Sequence, residues 1–122
     1  MILYAAADLI WASRIKAVAD ALKVPCRPAR TREMLEARLG DCHVKALLVD
    51  LDKGDEAIDL ITFLRGPEAD DRRRGIAVVA WGPHIDHQLL KRAGEAGADT
   101  VMTRGAFDRE LERLLLALDA RS

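Results

Sequence analysis

Two runs, Ala46-Leu47-Leu48-Val49 and Ile76-Ala77-Val78-Val79-Ala80, are apolar at every position. A strand with one wet face alternates apolar and polar residues. One without alternation must be covered on both sides, the condition of a strand in a parallel sheet with helices above and below it. Three further short apolar runs flank these two: Ile2 to Ala7, a weaker one from Val24 to Ala29, and Thr100 to Thr103. Pro25 and Pro28 limit the hydrogen bonding of the second run and make it the poorest strand of the five.

Between the runs, apolar residues return at helical spacing. Trp11, Ile15, Val18 and Leu22 form one stripe; Leu35 and Leu39 mark a short second helix after Thr31, a suitable N-cap. Ile58, Ile61 and Leu64 mark a third, with Asp55 near its start. Leu89, Leu90 and Ala93 mark a fourth, capped by Asp86 and ended by Gly97. Leu111, Leu114, Leu115 and Leu118 give the clearest stripe, on a last helix expected after Asp108. Gly66 to Gly75 is polar and reads as the loop before the fourth strand.

The order is βαβαβαβαβα. Right-handed crossovers leave few ways to arrange it, and five parallel strands with helices on both faces predict a flavodoxin-like, doubly wound α/β fold with strand order 2-1-3-4-5. All 122 residues fit one domain, 1–122, and a composition that is 50% hydrophobic can supply its core. Lys and Arg number 19 against 20 Asp and Glu, for a net charge of -1, so nothing draws the molecule as a whole to nucleic acid or to anionic lipid. The one basic run, Arg72-Arg73-Arg74, is too short for a nucleic-acid stripe and reads as a solvated loop. Cys26 and Cys42 do not form a CxxC pair and are expected to be reduced, and no signal peptide or membrane span is visible, so a cytoplasmic location is expected. His84 and His87 are spaced HxxH, and His43 stands alone. No third or fourth zinc ligand lies near them, so no metal site is expected there.

In such a sheet, ligands and reacting groups gather at the carboxyl ends of the strands. Those ends carry Ala6-Ala7-Asp8, Asp50-Leu51-Asp52, Trp81-Gly82-Pro83-His84 and Thr103-Arg104-Gly105. The segments ILYAAAD, KALLVDLD, IAVVAWG and AGADTVMTRGAF resemble the matching segments of CheY-like response-regulator receiver domains, and the resemblance runs the length of the chain. It implies a two-component-type signalling role with Asp50 at the phosphoacceptor position. It also exposes departures. The family's acidic pair after strand one, which holds Mg²⁺, falls on Ala6 and Ala7, leaving only Asp8 nearby. The hydroxyl residue that ends strand four falls on Trp81, and the strand-five lysine falls on Arg104, followed by Gly105 in place of proline. The loop after Asp50 is about one residue shorter than usual and lacks its proline.

Mg²⁺ seeks oxygen ligands in near-octahedral geometry, and alanine side chains offer none. An arginine fork does not replace a lysine point charge. The expectation is therefore a non-enzymatic, receiver-like module that works through protein partners without Mg²⁺-dependent aspartyl phosphorylation. Asp8, Asp52, Trp81 and Arg104 line its altered site, with Trp81 filling the emptied pocket as core. Asp50 and Asp52 read either as a phosphoacceptor or metal site, an improvised one in which Asp8 and Asp50, with Asp52 and a backbone carbonyl, would hold Mg²⁺, or as a solvated turn with Asp50 paired to Arg104. In the family the usual partner or dimer surface is built from the fourth helix, fifth strand and fifth helix, which here implicates Leu111, Leu115, Leu116 and Leu118. Leu9 and Ile10, ahead of Trp11, are further apolar residues off the core face. A phosphorylatable receiver with an altered site is one alternative reading. A small-molecule-binding domain of the same architecture is another, although a cobalamin domain would want a DxHxxG loop that neither Asp41-Cys42-His43 nor Asp52-Lys53-Gly54 supplies.

Overall fold

The computed structural model describes residues 1–122. Five strands, β1 (Ile2–Ala5), β2 (Cys26–Pro28), β3 (Ala46–Asp50), β4 (Ala77–Gly82) and β5 (Thr100–Thr103), form one parallel sheet in the order β2-β1-β3-β4-β5. The helices are α1 (Leu9–Leu22), α2 (Arg32–Asp41), α3 (Asp55–Arg65), a single turn α4 (Asp71–Arg74), α5 (His87–Ala96) and α6 (Arg104–Asp119). The predicted fourth and fifth helices are thus α5 and α6. A 3-10 turn, Leu51–Lys53, follows β3.

Alternation along the buried strands splits the core into two layers. Leu3, Leu47, Val49, Val78 and Ala80 face Leu35, Leu60, Ile61, Leu64 and Ala93 of α2, α3 and α5. Ile2, Tyr4, Leu48, Val79 and Trp81 face Ile15 and Ala19 of α1 and Phe107, Leu111, Leu115 and Leu118 of α6. Both faces are covered, as the unbroken apolar runs require. No helix is long and apolar enough to cross a membrane.

Caps set most of the helix boundaries. Thr31 accepts from the Met34 N–H and Asp86 from the Leu89 N–H, as their sequence positions suggest. Gly97 ends α5 in the left-handed region at φ 115°, and a Cβ there would lie 2.5 Å from Cβ of Arg65, so the position requires glycine on both counts. The last helix departs from expectation. It begins at Arg104, before Asp108, because the Thr103 side chain accepts from the Ala106 N–H and caps it directly at the end of β5.

The segment 66–75 is also more ordered than a polar loop. Asp70 caps α4, and the three arginines reach backbone carbonyls: Arg72 those of Leu39 and Cys42, Arg73 those of Phe63 and Glu68, Arg74 those of Ala69 and Gly66. Arg73 and Arg32 each lie 4.5 Å from the centre of the Phe63 ring. The basic run is largely exposed, as expected, but it also ties its segment to α2 and α3.

Candidate functional site at the carboxyl end of the sheet

Asp8, Asp50, Asp52, Trp81 and Arg104 all lie at the carboxyl ends of β1, β3, β4 and β5. Asp50 is the one charged residue among the buried set, with 0% of its surface exposed. Its Oδ2 accepts the Ala7 N–H at 2.9 Å and its Oδ1 accepts the Asp52 N–H at 3.0 Å. The carboxylate thereby ties the end of β1 to the turn after β3. Burial pushes its pKa up, against the pull of those two amides, and the charges of Asp52 and Asp8 push the same way.

Arg104 does not pair with Asp50. Its Nη2 donates to Oδ2 of Asp52, on a half-exposed ion pair that bridges the 3-10 turn to the start of α6. The expected Asp50–Arg104 contact fails because Asp50 points inward to backbone amides while Asp52, two residues on, is at the surface. Asp8 is likewise engaged: its Oδ1 accepts the Trp11 N–H at 2.9 Å and caps α1.

Trp81 is fully buried and is the register partner of Asp50 across β3 and β4. Its ring stacks on Phe107 with centroids 4.1 Å apart and planes 1° from parallel, and Trp11 leans on both, at 5.6 and 5.5 Å. The indole N–H has no hydrogen-bond partner. Phe107 escapes a reading confined to the leucine stripe, yet 107, 111, 115 and 118 continue that stripe one turn earlier. Trp11 heads the apolar stripe of α1 and so is expected to face the sheet; that it meets Trp81 and Phe107 there is not legible in the sequence.

The donor set does not suit Mg²⁺. Ala6 and Ala7 present methyl groups, and no three His, Cys, Asp or Glu side chains converge in a metal-holding group. Asp8, Asp50 and Asp52 each already hold a protein donor. His84 and His87 are both exposed.

The expected partner surface needs revision. Leu111, Leu115 and Leu118 are buried under the sheet, because the helical stripe that made them conspicuous is the one that packs on the core. Only Leu116 of the four is exposed, at 51%. On the same helix, Glu110, Arg113, Leu114 and Ala117 line, with Thr100 and Met102, a shallow groove of about 250 Å³ along β5.

No protein-family model matches the chain, and no curated protein matches it. Its structure does have close counterparts. A putative response regulator from Chloroflexus aurantiacus J-10-fl superposes with a TM-score of 0.80 at 18% identity, over 98% of this chain and 97% of that one. A CheY-like protein from Pseudomonas aeruginosa PAO1 gives 0.70 at 23% identity, over 96% and 97%. A response regulator from Burkholderia pseudomallei, solved with a phosphorylated aspartic acid and a calcium ion, gives 0.72 at 19% identity, over 96% of this chain and 65% of that one. The fold is therefore that of CheY-like receiver domains.

Proposed function

We propose that this chain is a receiver-like regulatory module of a two-component-type system that acts through protein contacts and without Mg²⁺-dependent phosphorylation of Asp50. One observation carries the reading: the three carboxylates at the mouth of the sheet are each engaged in holding the fold together, and the two positions beside them are alanines. Phosphorylating a carboxylate concentrates negative charge on the phosphoryl oxygens, and a divalent cation is the usual means of balancing it. Here that cation would have to share Asp52 with the Arg104 guanidinium and Asp8 with the α1 cap, with no side-chain oxygen from positions 6 and 7 to complete its shell. Asp50 itself offers no exposed surface to a phosphodonor.

In this reading the module is a cytoplasmic binding element and not an enzyme, with no cofactor. The groove along β5 would then receive a protein partner, the role that sequence analysis spread over four leucines. Association through this face would use Met102 and Leu114, flanked by Glu110 and Arg113, with Leu116 exposed on the same helix; Leu111, Leu115 and Leu118 are inside.

The test is incubation with acetyl phosphate and Mg²⁺, followed by intact-mass measurement. The expected result is an unmodified chain. A stoichiometric adduct that is stable in acid, labile in base and absent from Asp50→Asn would overturn the reading in favour of a phosphorylatable receiver with an altered site.

A further inference from the structure

The end of β1 and the first turn of α1 carry a surface that adjoins the candidate site through Ala6, Ala7 and Asp8 and extends away from it to Leu9, Pro28 and Arg30. A groove of about 310 Å³ opens there, lined by Ala6, Ala12 and Pro28 and edged by the exposed Asp8, Leu9 and Arg30. Leu9 on its edge is 76% exposed, and Ile10, the next residue of α1 and not itself a lining residue, is 80% exposed, high values for large aliphatic side chains at the start of a helix. Asp8 and Arg30 border the same groove, yet neither belongs to any ion pair of the chain. Arg30 makes no side-chain hydrogen bond, and the single bond to the Asp8 side chain comes from the neutral Trp11 amide.

An aliphatic ridge, an apolar groove, one unpaired acid and one unpaired base on a single patch are the components of a self-complementary surface. A two-fold axis brings the same patch of two molecules together, so every feature must find its complement on the identical face. We propose that the occupant of this groove is a second copy of the chain. Ile10 of each copy enters the groove of the other, and Asp8 of each meets Arg30 of the other, twice per dimer. The inference is independent of the fate of Asp50. The patch is small by the standard of stable interfaces, so the dimer forms in the micromolar range or above, a concentration-dependent equilibrium.

Sedimentation velocity on the intact chain, from about 5 to 500 μM, tests this. The expected result is a reversible monomer–dimer equilibrium that Ile10→Asp weakens by about tenfold or more, as the loss of a central anchor does. Ile10 is exposed, so its replacement leaves folding intact, to be checked by circular dichroism. Ile85→Asp, at an equally exposed aliphatic that lines neither groove, leaves the equilibrium unchanged. Arg30→Glu and Asp8→Arg each weaken it alone, and an equimolar mixture of the two restores it, because both cross-pairs are then of opposite sign. Asp8→Arg removes the α1 cap and is used only if its spectrum is native; Ile10→Asp carries the test without it. A wild-type chain that is monomeric throughout would overturn the proposal, as would a dimer indifferent to Ile10→Asp but abolished by Leu116→Asp.

Discussion

Asp50 is buried with two backbone amides and no cation, so its ionisation works against folding. Its pKa is raised in the folded state, so the favourable contribution is complete below the ordinary aspartate value near 3.9 and is lost as pH rises through the folded value. The expected outcome is that the wild-type chain gains stability relative to Asp50→Asn as pH falls from neutral toward about 4, read from paired thermal melts. A difference that does not change with pH would mean that Asp50 is neutral, or solvated, throughout. The location of this acid could be read from the sequence, because Asp50 directly follows an unbroken apolar run. Its partners could not be, since backbone amides carry no residue-type signature and Arg104 was the nearest visible charge. Trp81 follows the same pattern: its type and place announced a filled pocket, while the parallel stack on Phe107 depends on how α6 is set against the sheet. Replacing Trp81 by Ala is expected to cost about 3–5 kcal/mol in urea unfolding. Trp81→Phe is expected to cost much less, because it keeps an aromatic ring and removes an indole N–H that has no partner.

Among the elements, β5 is the exposed edge of the sheet and is held from outside its ladder. Arg65 at the end of α3 clamps both carboxylate oxygens of Asp99 at 2.9 and 2.6 Å, and donates to the carbonyls of Gly97 and Ile76. Asp99 also accepts the Val78 N–H at 2.7 Å. Burial pushes the Asp99 pKa up, but Arg65 and that amide more than offset it and hold the carboxyl below its usual range. Its stabilising contribution is therefore present above about pH 3.9 and fades as pH falls through the lower folded value, the opposite direction to Asp50. Lysine cannot reproduce the two-pronged contact, so Arg65→Lys is expected to lose about 1–3 kcal/mol and to loosen β5, as seen by hydrogen exchange. Thr103→Ala, removing the α6 cap, is expected to lose about 1 kcal/mol in the same assay. Helix boundaries divide along these lines. Thr31, Asp86 and Gly97 were readable because their caps act within a few residues; the start of α6 was not, because Asp108 offered an equally good cap one turn later. The contacts of the α4 arginines were not readable, because their acceptors, the carbonyls of α2, α3 and the adjoining turn, come together only in the folded chain.

At the scale of the whole molecule, strand order follows from unbroken apolar runs and right-handed crossovers, which is why the complete topology was legible. The distribution of outward-facing apolar groups was less so. A leucine stripe identifies a helix face without saying whether it meets the sheet or a partner, and here the sheet claims Leu111, Leu115 and Leu118. At the mouth of that sheet, acids hold α1, α6 and the end of β1 in place, and the proposed function rests on their being poor ligands for a divalent cation. Backbone amide NMR of the uniformly ¹⁵N-labelled chain, titrated with Mg²⁺ and then with beryllofluoride, addresses it directly. The account predicts no saturable shift at Ala6, Ala7, Asp8, Asp50 or Asp52 with either addition. Saturable shifts focused on those residues, lost in Asp50→Asn, would contradict it.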